Sequence, residues 1–322
     1  MQELHCSRNT AIFLCESWQD GTKSCYNPYI KKWFTFCLIK GYDKYNATEA
    51  QVCAFLQSLS EAAYSYGAVN TARCALSVVL PKGKNGETMG KRYWVSRACR
   101  SAYLRNPPRP KYTYFWDVKI VFRCIKNFGR NSKMSLAKLG RKVLVLLLLV
   151  SGQRGQVARA LSLDHMTSWD DGSITFNLLY PMKTARTGEK LAQLKLEPYH
   201  REPKLCVIRA LKRYLERTEK LRKSRLLFVS YVKPHEDVSR DTISRWVLHV
   251  MRVSGVNTNR FGPHSLRGAG VSSGARLGIS TDLLLKYGSW KGKTTMARHY
   301  QKPILAEPTD TLGARLLDDM AE

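Results

Sequence analysis

Pro263-His264-Ser265-Leu266-Arg267-Gly268-Ala269-Gly270 sets a histidine and an arginine three residues apart, with small residues directly after them. Residues three apart lie on one helical face, and both side chains can bind phosphate. Small residues in the next turn let another backbone come close. On these eight residues alone, a helix start carrying a solvated arginine is the favoured reading. Three further signals occur in the chain. Arg154, in Ser151-Gly152-Gln153-Arg154-Gly155-Gln156, stands where an apolar helix gives way to a loop. Lys183 lies in a polar loop between two β-rich runs. Trp290, after Tyr287-Gly288-Ser289, precedes Thr294-Thr295-Met296-Ala297-Arg298-His299-Tyr300. Each also has a plain structural reading: Arg154 in a buried salt bridge, Lys183 on a solvated loop, Trp290 in core packing, Tyr300 on the rim of an amphipathic helix.

The elements that must hold these residues are mainly helical. Apolar side chains recur at helical spacing in Asn27–Leu38, with Ile30, Trp33, Phe34, Cys37 and Leu38 on one stripe. Thr48 is the expected N-cap of the next helix, before Val52, Phe55 and Leu56. Tyr64–Leu80 and Val95–Leu104 supply two more. The composition then breaks at Arg105-Asn106-Pro107-Pro108-Arg109-Pro110-Lys111, where three prolines in four residues cannot continue a helix. The chain thus divides into a helical domain over 1–104, a linker at 105–111 and a second domain over 112–322, whose tail is 304–322. Trp116–Phe128 and Leu136–Val150 read as helices, as do 206–222, 239–253, 265–277 and 281–287. Ile174–Tyr180 and Leu191–Leu196 form a β-hairpin with Lys183 at its basic tip. The fold class expected is mainly α with a small β-sheet.

Charge narrows the partners. The 322 residues hold 53 Lys plus Arg against 25 Asp plus Glu, a formal net charge of +28. Residues 1–110 carry +8 and the remainder +20, so both parts are basic and both can face one polyanion, for which nucleic acid is the usual candidate. Nine cysteines are scattered without a C-x-x-C pair, which suits reduced thiols and gives a zinc ribbon no support. No Asp/Glu/His cluster suggests a metal site. The apolar run Val143–Val150 is too short to span a bilayer, and Met1–Thr10 has no apolar signal core. A soluble intracellular protein without a membrane partner is expected.

Arg154, Lys183, His264 with Arg267, Trp290 and Tyr300, in that order, resemble the active-site pattern of the tyrosine recombinases, or phage-type integrases. The likeness runs from the linker to about Pro303, and more weakly over the helical domain. Gly152-Gln153-Arg154, the stretch Pro110–Val118 and His299-Tyr300-Gln301-Lys302-Pro303 look most like recombinases of DIRS-like and Ngaro-like eukaryotic retrotransposons. The resemblance implies a core-binding, SAM-like N-terminal domain and a catalytic C-terminal one. It implies site-specific cutting and rejoining of DNA for mobile-element integration, without ATP, metal or cofactor. Arg154 and Arg267 would clamp the scissile phosphate, since planar guanidinium groups match its oxygens. Tyr300 would be the nucleophile, forming a 3′-phosphotyrosyl link. Lys183 would protonate the leaving 5′ oxygen. His264 would take the tyrosine proton or bond the phosphate, and Trp290 would pack and donate its indole N–H.

Two positions depart from the pattern. Val157 stands where many members carry an acidic residue, three after the first arginine. The step from Trp290 to Tyr300 is ten, whereas the nine common in bacterial members would land on His299. Double-stranded DNA and further copies of the chain are the implied partners, as a dimer on a site and a tetramer in synapsis, in the nucleus of a eukaryote or otherwise the cytoplasm. Type IB topoisomerase activity and a catalytically inactive DNA-binding regulator are the competing functions. A short helix at Thr311–Met320, with Leu312, Leu316, Leu317 and Met320 on one stripe, would dock the tail on a neighbouring subunit.

Overall fold

The structure, a computed structural model, describes residues 7–178, 193–288, 290 and 292–305. The chain divides into two compact units, Met1–Pro110 and Lys111–Glu322.

The first unit is wholly helical among its described residues. Its helices are α1 (Arg8–Glu16), α2 (Asp20–Lys40), α3 (Glu49–Glu61), α4 (Tyr66–Val79) and α5 (Tyr93–Arg105). α2 packs on α4 and α3 on α5, around Trp33, Phe55, Leu56, Val69, Leu76 and Val95. Thr48 caps α3 as expected and forms a capping box with Gln51. α2 begins before the apolar stripe and carries Pro28 inside it. The indole N–H of Trp33 donates to the Lys44 carbonyl at 2.9 Å, satisfying the polar edge of a buried ring.

The second unit surrounds α7 (Leu136–Ser151), whose residues Val143–Leu148 are all buried. A helix apolar on all sides needs neighbours on all sides. α9 (Val207–Thr218), α10 (Arg240–Val253) and α11 (Ser265–Arg276) supply them. α6 (Val118–Lys126), the short α8 (Gly155–Ala160), α12 (Thr281–Gly288) and α13 (Lys293–Tyr300) complete the helices. A three-stranded antiparallel sheet joins β2 (Met166–Ser168), β3 (Ile174–Asn177) and β4 (Gln193–Leu196) in that order. The register sets Ile174 opposite Leu196 and Phe176 opposite Leu194, all four buried on one face. Chain and sheet are therefore mainly α with a small β component.

Two expectations need correction. Trp116 was expected to open a helix. It lies instead with Phe115 in a strand, β1, paired in parallel with β5 (Ile304–Leu305), and α6 starts at Val118 behind the Asp117 cap. That pairing is distant in sequence, so no local pattern announces it. Correspondingly, the first two residues of the tail, Ile304 and Leu305, pair within their own unit rather than leaving it. The tail beyond them, with the helix expected at 311–320, lies outside the described residues, as does the hairpin tip with Lys183. Among the described residues, no helix is long and apolar enough to cross a membrane.

Candidate functional site

α7 ends at Gly152, whose left-handed backbone (φ 60°) turns the chain sharply. A side chain there would sit 3.7 Å from Gly288, so the turn lies against the end of α12. The Gln153 amide donates to the Tyr287 carbonyl at 3.1 Å and ties the same two ends together. Arg154 follows as the residue before α8; its carbonyl accepts the Val157 N–H at 2.9 Å, and its side chain makes no hydrogen bond or ion pair among the described residues.

His264 stands at the N-terminus of α11 and Arg267 one turn further on. Arg267 is only 3% exposed. Its Nη2 donates to the Gly288 carbonyl at 2.5 Å. Its guanidinium stacks over the Trp290 ring at 3.8 Å and lies 5.3 Å from the Tyr300 ring. The Nε2 of His264 lies 2.8 Å from the Tyr300 hydroxyl. Trp290 and Tyr300 are in ring contact at 5.0 Å. The structure thus brings His264, Arg267, Trp290 and Tyr300 together, with Arg154 close enough to act on both His264 and Arg267 through its charge. Of His299 the side chain is not described. Val157 is buried, and among the described residues no carboxylate pairs with Arg154 or Arg267.

The glycines after Arg267 serve a different neighbour from the one expected. A Cβ on Gly268 would lie 2.1 Å from the Phe115 ring, so the bare turn admits an aromatic side chain of β1 rather than another backbone. Gly270 has room for a side chain, its nearest neighbour being Leu149 at 3.9 Å. Gly288 is the stricter requirement, because a Cβ there would fall 1.5 Å from the Trp290 ring. Trp116 donates its indole N–H to Ser265 at 3.1 Å, which fastens β1 to the start of α11.

The electrostatics favour an anion. The Nε and Nη1 of Arg267 and the Nε1 of Trp290 are buried without hydrogen-bond partners among the described residues. Burial, then the positive charge of Arg154, pushes the Arg267 pKa down to about 9, so it remains a cation at neutral pH. A buried cation with free donors is costly on its own and is relieved by a charge-matched oxyanion. His264 is held at about 4 by lost hydration and by the charges of Arg267, Arg154 and Lys111. The residue remains exposed, so the surrounding cations are the durable part of that shift. Neutral His264, as its Nδ1–H tautomer, accepts the Tyr300 O–H at Nε2.

The unfolded chain takes up a proton on this histidine near its ordinary 6.5, while folded His264 refuses it until about 4. Folding stability therefore falls as pH drops through that window and is indifferent to this group above it. Thermal denaturation should show the slope. His264→Gln should flatten it, and added salt should shrink it by screening the cations.

Lys111 and Ser272 were not singled out from the sequence. Lys111 sits in the proline-rich stretch and reaches His264 only electrostatically. Ser272, buried on α11, donates to the Tyr300 carbonyl at 2.6 Å. One serine beside another on a small-residue helix carries no signal of such a contact.

No protein-family model and no curated protein sequence matches the chain. Solved structures do. The chain is similar to the XerH site-specific recombinase in a pre-cleavage complex with difH substrate: 15% identity, TM-score 0.53, covering 85% of this chain and 70% of that one. It is similar to a lambda integrase fragment, crystallised as a dimer on a COC′ core site: 16% identity, TM-score 0.52, covering 95% and 96%. The Tn1549 transposon integrase with transposon right end DNA gives 12% identity and TM-score 0.51, covering 85% of each chain. At such identities the likeness is one of fold: this chain has the fold of these recombinases and integrases.

Proposed function

We propose that this chain is a tyrosine recombinase that cuts and rejoins duplex DNA through a 3′-phosphotyrosyl intermediate. The observation that carries the reading is Arg267: a buried guanidinium with two nitrogens unpartnered among the described residues, beside a tyrosine hydroxyl already bonded to a neutral histidine. A scissile phosphate between Arg154 and Arg267 would satisfy those donors and cancel the charge that holds His264 down. Its basicity would then rise as the Tyr300 proton has to leave. The Tyr300 oxygen would attack phosphorus while the 5′ oxygen departs with a proton, which we assign to Lys183 on its sequence position. The phosphotyrosyl link keeps the bond energy, so the reverse attack by a 5′ hydroxyl reseals the strand without ATP. Trp290 would steady the Arg267 plane by stacking and donate its indole N–H to the phosphate.

The recombinases and integrases of this fold include DNA-bound forms, a lambda integrase dimer on a core site and a tetramer on a Holliday junction. These support duplex DNA and further copies of this chain as partners. The basic excess of both units supports the same partner, and α5 exposes Arg97 and Arg100 together with Tyr93 and Trp94. A mobile-element role, of the DIRS-like or Ngaro-like kind and therefore nuclear, is supported by the sequence resemblance.

The test uses a pool of randomised duplexes, because the target sequence is unknown. Fragments that resist denaturing removal from the protein are recovered, and the attached peptide is mapped. A nucleotide on Tyr300 is expected. Attachment to Tyr287, or sequence-independent relaxation of a supercoiled plasmid, would replace the recombinase with another nucleophile or a topoisomerase. Tight binding without any adduct would leave a DNA-binding regulator.

A further inference from the structure

We infer that Ser272 is a positioning residue for the Tyr300 nucleophile, a hydroxyl that fixes the end of α13 relative to the phosphate clamp. The inference rests on the strand-transfer reading above. Tyr300 is the last residue of an eight-residue helix, too short to be stable alone. At a helix end the backbone carbonyls lose their helical partners. The Tyr300 carbonyl finds Ser272, whose Oγ donates to it at 2.6 Å. The same Oγ accepts the Lys302 N–H at 3.1 Å. One buried hydroxyl, 3% exposed as a residue, therefore holds the backbone on both sides of the Tyr300–Gln301 step.

The placement on α11 gives this contact its consequence. α11 also carries Arg267, and His264 stands at its N-terminus. A single helix thus links the group that accepts the tyrosine proton, the phosphate clamp and the anchor of the nucleophile. Beyond Lys302 the chain is held as well: Phe115 N–H donates to the Pro303 carbonyl at 2.9 Å, and β5 pairs with β1. Between these supports the Tyr300 backbone is pinned by Ser272 and by the Gln301 N–H bond to Met296 at 3.2 Å. Ser273, next along α11, is a useful contrast, because its hydroxyl is buried without a partner among the described residues.

Attack at phosphorus needs the oxygen in line and near contact distance, and a misplacement of about 1 Å can cost about 100-fold in rate. Ser272→Ala removes both bonds and adds no bulk. It should slow formation of the Tyr300–DNA adduct by roughly 10- to 100-fold without changing DNA affinity. Ser272→Thr keeps the hydroxyl and should restore most of the rate, while Ser273→Ala should match the wild type. The decisive arm separates the nucleophile from the clamp. In Tyr300→Phe protein, added hydrogen peroxide supplies the attacking oxygen, so strand cleavage depends on the clamp and no longer on the α13 end. Ser272→Ala should leave that peroxide-driven rate unchanged. An adduct rate unaffected by Ser272→Ala would overturn the inference, as would an equal loss in the peroxide reaction, which would make the serine a general support of the fold. Wild-type protein that forms no adduct at all would overturn the strand-transfer reading and this inference with it.

Discussion

Tyr300→Phe should bind DNA like the wild type and form no protein–DNA adduct. The change removes one oxygen and keeps the ring, so the contact with Trp290 at 5.0 Å and the neighbouring Arg267 are preserved. His264 loses its partner at 2.8 Å but lies at an exposed position where water can replace it. DNA affinity is dominated by phosphate contacts spread over a basic surface, and one neutral hydroxyl contributes little to them. Chemistry should be affected very differently, because the proposed mechanism has no second step without the covalent first one. Loss of a covalent nucleophile is felt on the order of a millionfold in turnover. Single-turnover trapping of denaturation-resistant complexes measures the rate, and binding is followed at one fixed salt concentration. Adduct formation by Tyr300→Phe at a rate near the wild type would assign the attack to another residue.

Arg267→Met should slow cleavage by about 100- to 1,000-fold and, in the absence of DNA, raise thermal stability. The wild-type guanidinium is 3% exposed, stacks on Trp290 and spends one nitrogen on the Gly288 carbonyl, yet two nitrogens have no partner among the described residues. Replacing a poorly compensated buried charge with an apolar side chain of similar length is often stabilising, by about 1–4 kcal/mol for buried ion pairs. The lost Gly288 bond offsets part of this, so we expect a gain near the lower end of that range. The penalty is fully present below about pH 9 and is relieved as pH climbs toward the ordinary arginine value, because the folded state releases this proton first. In catalysis the balance reverses. Removing one preorganised donor from an oxyanion costs about 100- to 1,000-fold, and Arg267→Lys should not recover it, since a point charge lacks the planar fork that meets two oxygens. Inorganic sulfate or phosphate should stabilise the wild type more than Arg267→Met, because binding to the folded state alone raises stability by mass action. A variant less stable than the wild type under all conditions would mean that Arg267 holds the fold together rather than waiting for an anion.

These two residues also separate what sequence and tertiary structure each determine. Charge is a property of composition, so the basic character of both units follows from counting Lys and Arg. Elements with strong short-range patterns were legible for a similar reason. Thr48 and Gln51 cap α3 through atoms three residues apart, and the apolar run of α7 has to be enclosed wherever it lies. Alternation in Gln193–Leu196 determines which face of β4 is buried, whereas Ile174, Thr175 and Phe176 of β3 are all buried. The order Arg154, His264, Arg267, Trp290 and Tyr300 was readable as residue types suited to one reaction, and the structure gathers them.

Their physical state was not readable. Trp116 lies in a strand because residues 304 and 305 pair with β1, a contact no local propensity encodes. Gly268 is bare because Phe115 fills the space beside it, and Ser272 matters because the chain after Tyr300 returns across α11. The low pKa of His264 and the free nitrogens of Arg267 arise from groups brought together from distant elements. Hydration, charge and hydrogen bonding depend on three-dimensional neighbours, while residue type and spacing act only along the chain. The sequence therefore determined which groups are available for chemistry, and the tertiary structure decided which of them are buried, unpaired and near enough to react.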